Sequence, residues 1–171
     1  MEEYEYIIDK PIIRRMFNRF LGLIAEFAPG ATTLRPFIHK LRGVKIHGKV
    51  FIGQEVILEN EFPHRVELHD GVQIVMRSII LSHFRGTGKV VIEKNVWIGA
   101  NCVISVPTDN RTLTIGEGSV IAAMSVVTKD VPKGMFMGGS PAKPIAKATI
   151  PMTLKTSYTA FQNGLKPLDE A

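Results

Sequence analysis

The chain has 171 residues, a net charge of +5 and one cysteine, enough for one core and incompatible with an internal disulfide. No run of about 18 apolar residues is present, which excludes a spanning helix, and the acidic start MEEYEY lacks a signal-peptide profile. A cytoplasmic protein is expected. The charge is uneven: residues 10–49 hold nine cations against Glu26 alone, a local +8. Aromatic residues do not interleave with these cations as in single-strand or RNA modules, so nucleic acid is excluded as a partner. An anionic neighbour, such as the inner face of a membrane, remains.

Asp9, Lys10 and Pro11 read as a helix start. Ile12, Ile13, Met16, Phe17, Phe20, Leu21, Ile24 and Phe27 then form one helical stripe opposed by Arg14, Arg15 and Arg19, and Pro29-Gly30 ends it. A second helix is predicted over about Thr33 to Arg42, stopped by Gly43. The first reading of the long stripe is packing over the open edge of whatever follows. The second is peripheral membrane contact through this basic N-terminal helix.

From Val44 to about Pro132 large aliphatics recur in steps of six: Ile46, Ile52, Leu58; Leu68, Ile74, Ile80; Ile92, Ile98, Ile104; Ile115, Ile121, Val127. Neither a strand's period of two nor a helix's 3.6 generates this beat. Short strands joined by corners do, three to a coil, as in a parallel β-helix. Two positions earlier stand small or β-branched residues, such as Val50, Val56, Ser78, Val96, Cys102 and Ser125, which fit inward near a corner. Gly53, Gly99 and Gly116 directly follow an inward aliphatic and are expected to supply corner freedom, while Gly48, Asn95 and Gly118 sit where turns are needed.

Between triplets the step lengthens, which predicts insertions at one corner. Segments 59–67, 81–91 and 105–114 should therefore form one wall of loops, where function is expected. The wall holds Glu59, Asn60, His64, His83, Arg85 and Asp109. Residues 135–147 read as an ordered loop, and 148–171 as a short helix or a strap against a neighbouring subunit. The expected organisation is a helical cap over 1–43, a β-helix over 44–134 and a loop and tail over 135–171, in one compact unit.

The runs VWIGANCVI (Val96–Ile104), VIAAMSVVTKDVPKG (Val120–Gly134) and GGSPAKPI (Gly138–Ile145) resemble the hexapeptide-repeat acetyltransferases, in particular the acetyl-CoA-dependent O-acetyltransferases of sugars and polysaccharides. LRGVKI (Leu41–Ile46) and LSH (Leu81–His83) resemble the polysaccharide-modifying branch. The resemblance covers about residues 34–147. It implies an all-β, left-handed parallel β-helix, a homotrimer with acetyl-CoA in a cleft between prisms, and a wall-loop histidine as general base. The matching histidine is His83. Lys129 and Lys143 match positions near the CoA phosphates, Thr128 and Ala123 neighbouring contacts, and Ala100 a backbone contact near the thioester. The family's Gly-Ala-Gly-Ser is here Ala122-Ala123-Met124-Ser125, and the corner from Ser105 to Gly116 carries extra residues.

Thioester transfer needs a hydroxyl deprotonated at neutral pH, and an imidazole with a pKa near ~6.5 suits this. Asn60 and Glu59 are both candidates to orient His83, and with Arg85 to contact the acceptor. His47, His64, His69 and His83 do not reproduce the order of a β-helical carbonic anhydrase, and no carboxylate cluster has zinc spacing, so no metal is expected. Cys102, in the small inward register, is read as packing. The expected activity is O-acetylation of a sugar hydroxyl on a polysaccharide or glycan precursor. The alternatives are N-acetylation of an amino or nucleotide sugar, and a non-catalytic β-helical binding protein.

Overall fold

A computed structural model describes residues 12–83, 88–107 and 111–168. Arg85 and Asp109, and the proposed helix start at Asp9 to Pro11, lie outside these residues. Four triplets of strands follow the hexapeptide beat. They are β1 (Lys45–Ile46), β2 (Phe51–Ile52) and β3 (Ile57–Leu58), then β4 (Val66–Leu68), β5 (Gln73–Ile74) and β6 (Ile79–Leu81). Next come β7 (Lys89–Ile92), β8 (Trp97–Ile98) and β9 (Val103–Ser105), then β10 (Thr112–Ile115), β11 (Val120–Ile121) and β12 (Val126–Val127). Each strand pairs in parallel with its equivalent in the next coil, so the coils stack as a three-faced prism. The first face is β1-β4-β7-β10, and β3-β6-β9-β12 make the third.

The core is what a six-residue step requires. Ile52, Leu58, Leu68, Ile74, Ile80, Ile92, Ile98, Ile104, Ile115 and Ile121 are all fully buried, and Val50, Val56, Ser78, Val96, Cys102 and Ser125 line the interior beside them. The inward serines bond locally: Ser78 Oγ donates to the Gly99 carbonyl at 2.8 Å.

The corner glycines work differently from the expectation. Gly53, Gly99 and Gly116 have no left-handed φ; a Cβ on Gly99 would lie 2.5 Å from the Ala123 nitrogen of the next coil. Close approach of stacked coils, rather than backbone freedom, requires glycine there. At the corner after the second strand of each coil, the left-handed position falls two residues after Gly53, Val75, Gly99 and Ala122, where Glu55, Arg77, Asn101 and Met124 have φ of 57°, 59°, 56° and 61°. Gly48, Asn95 and Gly118 do take left-handed φ at the other corner, as their positions suggested.

Two helices, α1 (Ile12–Phe27) and α2 (Leu34–Arg42), cover the open edge of the first coil, with Gly43 closing α2 at φ 108°. The Ile52 amide donates to the Ala31 carbonyl and the Glu55 amide to the Glu26 carbonyl, each at 2.8 Å. The apolar stripe of α1, read from sequence as a packing face, points away from the body. Only Leu21 of the stripe packs, with Ala25, Ala28 and Ile38. The face turned inward carries Asn18, Gly22 and Ala25. The reason is a buried guanidinium: Arg42 occupies the space beneath α1, and a Cβ on Gly22 would lie 3.3 Å from its Cζ. Only a small-residue face can approach it.

Beyond the prism, β13 (Met135–Gly138) pairs with β11, and β14 (Lys143–Ala148) returns antiparallel to β13. Helix α3 (Tyr158–Asn163) and β15 (Leu165–Lys166) complete the tail. This tail folds onto its own prism, with Phe161, Leu165 and Met152 packed against Val120, Trp97 and Phe136. The short helix expected within 148–171 is therefore α3.

Candidate active site

All three insertions leave the prism at the corner between its third and first faces, as the spacing predicted: β3 to β4, β6 to β7 and β9 to β10. Glu59 follows β3 directly, and His83 follows β6 one coil above. The stacking brings His83 Nδ1 to 2.6 Å from Glu59 Oε2. The same oxygen accepts from the Ser82 amide and the Ser82 hydroxyl, both at 2.8 Å. Oε1 accepts from the amides of Glu61 at 3.0 Å and Phe62 at 3.3 Å. Five donors therefore hold a carboxylate that is wholly buried.

Burial alone would raise the Glu59 pKa. The hydrogen bond and charge of His83 and the Ser82 donors outweigh it and hold the carboxyl at about 2. The His83 pKa is raised, chiefly by its hydrogen bond to Glu59, against partial burial. An ionised Glu59 accepts only, so Nδ1 carries the hydrogen and Nε2 keeps its lone pair. The His83 side chain is about a quarter exposed (26%), with the Phe62 ring edge-on at 5.8 Å.

Of the two orienting candidates the geometry brings Glu59 to the imidazole. Asn60 is turned away, its Oδ1 accepting from Arg42 Nη2 at 2.5 Å. Arg42, a residue the sequence reading counted only as charge, anchors this corner. Its Nη2 donates to the carbonyls of Leu58 and Glu59, both at 3.0 Å, and its Nε to the Asn18 carbonyl at 3.0 Å. Burial lowers its pKa to about 10 despite the attraction of Glu59 and Glu26, so it remains charged at neutral pH. Nη1 lies 2.9 Å from His39 Nδ1. Burial, then the charges of Arg42 and Arg35, hold His39 near 3, leaving it neutral and able to accept there. A basic residue in the last turn of a helix that caps a wall loop was the available signal.

The residues matched to CoA contacts lie elsewhere. Ala100 and Ala123 sit at the corner between the second and third faces, where the Ala100 carbonyl accepts from the Met124 amide at 2.8 Å. Met124 takes the left-handed φ at the family's glycine position, and its side chain is exposed. Thr128 and Lys129 follow β12 on the His83 corner, two coils above it. Lys143 opens β14, just after the Ala142 amide bonds the Val126 carbonyl at 2.8 Å; both lysines are exposed. Within one chain, then, Ala100 and Ala123 do not meet His83.

A cleft of about 310 Å³ opens beside the wall, lined by Lys45, His64, Arg65, Lys89 and Arg111. Arg65, on that lining, lies over the Phe62 ring at 4.8 Å, and the same ring stands edge-on to His83 at 5.8 Å.

One cluster runs against the sequence expectation. His47, Glu67 and His69 bring three metal-ligating atoms within 4.8 Å of one another. They come from adjacent coils, so their spacing in sequence is that of the coil and not of a zinc motif. Both imidazole Nε2 atoms face Glu67 Oε1, at 3.3 and 3.2 Å. Lys89 Nζ already sits 2.7 Å from Glu67 Oε2, beside any incoming dication. Glu67 thus holds an ion pair with Lys89 and faces both imidazoles on the outer surface of the first face. Cys102 is buried, its Sγ 3.1 Å from the Ala122 carbonyl and its pKa raised by burial, as a packing residue requires.

No protein-family model matches the chain. A protein of Schizosaccharomyces pombe, provisionally named an acetyltransferase, is 57% identical over 56 residues, 33% of this chain and 25% of that protein. A Bacillus subtilis protein, likewise provisionally named an acetyltransferase, is 29% identical over 139 residues, 78% of this chain and 77% of that one. A Staphylococcus aureus tetrahydropyridine-dicarboxylate N-acetyltransferase is 37% identical over 82 residues, 48% of this chain and 31% of the enzyme. The chain thus spans a third or less of two of these relatives. Among solved structures, a hexapeptide-repeat acetyltransferase of Vibrio cholerae, in complex with acetyl-CoA, superposes with a TM-score of 0.60 at 24% identity, covering 79% of this chain and 87% of that one. A maltose O-acetyltransferase of Clostridium difficile does so at 0.58 and 21%, covering 80% and 87%. With the hexapeptide beat and the three-faced prism, this chain has the fold of the hexapeptide-repeat acetyltransferases and is similar in sequence to proteins that bear acetyltransferase names.

Proposed function

We propose that the protein is an acetyl-CoA-dependent O-acetyltransferase acting on a sugar hydroxyl of a polysaccharide or glycan precursor. The observation that carries this reading is the His83–Glu59 pair. An imidazole with a fixed tautomer and a free Nε2 can take the hydroxyl proton as its oxygen attacks the thioester carbonyl. The tetrahedral intermediate then collapses, and the imidazolium returns the proton to the departing CoA thiolate. Glu59 is a positioning residue: it lies beneath the ring and stabilises the imidazolium, without reaching the acceptor. The cationic cleft beside the wall favours an acceptor with a phosphate or carboxylate near the reacting sugar.

The donor half of the site draws on Ala100, Ala123, Thr128, Lys129 and Lys143. Because Ala100 and Ala123 stand at a different corner from His83, the reading requires a homotrimer whose sites lie between neighbouring prisms. Lys129 and Lys143 supply point charges for the CoA phosphates. Lys129→Glu/Lys143→Glu is expected to weaken CoA binding at least tenfold by calorimetry with the fold intact, since both side chains are exposed. Unchanged affinity removes them from the site.

The function itself is tested by thiol release from acetyl-CoA across a panel of neutral, phosphorylated and carboxylated sugars, with amino sugars alongside. Release with hydroxyl sugars, best with the charged ones, is expected. Release with amino sugars alone would make the protein an N-acetyltransferase.

A further inference from the structure

We infer that the α1–α2 cap seats the protein on an anionic lipid surface, its apolar face lying in the headgroup region. The stripe of α1 is presented outward: Ile13 is 77% exposed, Phe20 61%, Leu23 61% and Phe27 64%. Phe37 and Leu41 of α2 extend the same exposed apolar character, at 56% and 47%. A 16-residue helix is about 24 Å long, and a continuous apolar face of that length exceeds what a soluble surface ordinarily leaves uncovered.

Position in the fold selects the occupant. The inward face of α1 is committed to Arg42 and the open edge of the first coil, so its outward face looks away from the end of the coil stack. Prisms that associate side by side do so through their flanks and leave that end bare. Several copies in such an assembly would present their caps at one end, as a platform rather than a groove.

Charge points to the same partner. Arg14, Lys40, Lys45 and Lys49 are exposed on or beside the cap. Glu61 is paired with Arg15 at 2.7 Å and with Arg19. Glu26 is the only acid on either helix. An apolar face bordered by cations is what anionic headgroups attract and acyl chains retain. No helix among the described residues is long and apolar enough to cross a membrane, so the cap lies on the surface. This inference does not depend on which acceptor the enzyme uses.

The test is co-sedimentation of the full chain with vesicles of phosphatidylcholine alone and of phosphatidylcholine mixed with phosphatidylglycerol. Phe20→Glu/Leu23→Glu serves as the comparison, because both side chains point to solvent and neither belongs to the active site. Binding to the mixed vesicles is expected, weakening with salt, with the partition coefficient lowered about tenfold or more in the variant. Thiol release with a soluble acceptor should be the same in both proteins. A wild-type protein that stays in the supernatant with mixed vesicles overturns the inference. So does light scattering that shows a larger assembly of the wild type, without vesicle binding, that the variant disperses, since a second copy would then cover the face. Equal binding to both vesicle types overturns the anionic preference.

Discussion

Replacing His83 by alanine is expected to lower turnover by roughly 10²–10⁴, the ordinary worth of a general base. The affinity for CoA should change little, because the proposed mechanism places the imidazole on the acceptor side. The size of the effect follows from what remains. Phe62 and Ser82 carry no group that titrates near neutrality, and the Glu59 carboxylate is buried and already accepts five hydrogen bonds, so it cannot substitute. Turnover measured at saturating acetyl-CoA decides the matter. A variant that keeps more than about a tenth of wild-type turnover lies outside the range for a general base. His64, across the Phe62 ring at 6.4 Å, would then be the next residue to test.

The largest expected effect on stability is at Arg42. Arg42→Ala removes donors from the carbonyls of Asn18, Leu58 and Glu59, and opens a void between α1 and the first coil. Leaving those buried carbonyls unpaired and opening a cavity together cost roughly 2–5 kcal/mol. Urea unfolding followed by circular dichroism should show the midpoint fall accordingly. Arg42→Lys should rescue little, since an ammonium cannot serve carbonyls on both sides of the gap at once. A loss under about 1 kcal/mol would show that the cap holds without the guanidinium. Where the alanine variant still folds, its turnover should drop as well, because the displaced segment carries Glu59.

The prism was legible because each inward position recurs at fixed spacing, and burial of ten aliphatics and a second ring of small residues matches that spacing. The common exit corner of the loops followed from the same arithmetic, and with it the meeting of Glu59 and His83. Three features were hidden for physical reasons. The orientation of α1 depends on a single buried residue, Arg42, whose side chain takes the volume that an apolar face would otherwise fill. Nothing in a hydrophobic pattern distinguishes a stripe packed inward from one presented outward. The choice between Glu59 and Asn60 turns on which of two adjacent residues points along the stacking direction, and only the corner geometry sets that. His47, Glu67 and His69 meet through coil stacking, which no local spacing records. Gly99 was placed correctly at a corner, but for backbone freedom it does not use; the constraint is the Ala123 nitrogen of the next coil.

The pH dependence of kcat/KM, compared between the wild type and Glu59→Gln, tests most directly whether His83 is the catalytic base and Glu59 positions it. In the proposed mechanism the neutral imidazole is the active form, and Glu59 raises its pKa above the ordinary value. Wild-type activity should therefore fall on the acid side with an apparent pKa above ~6.5. Glu59 itself stays ionised until about pH 2, so it adds no second step in the working range. In Glu59→Gln the charge that favours the imidazolium is gone. The acid limb should move to lower pH, and the pH-independent maximum should drop as well, because the ring is no longer held in one tautomer. An acid limb at the same pH in both proteins, with the same plateau, would contradict the assignment of His83 as the base and Glu59 as the residue that positions it.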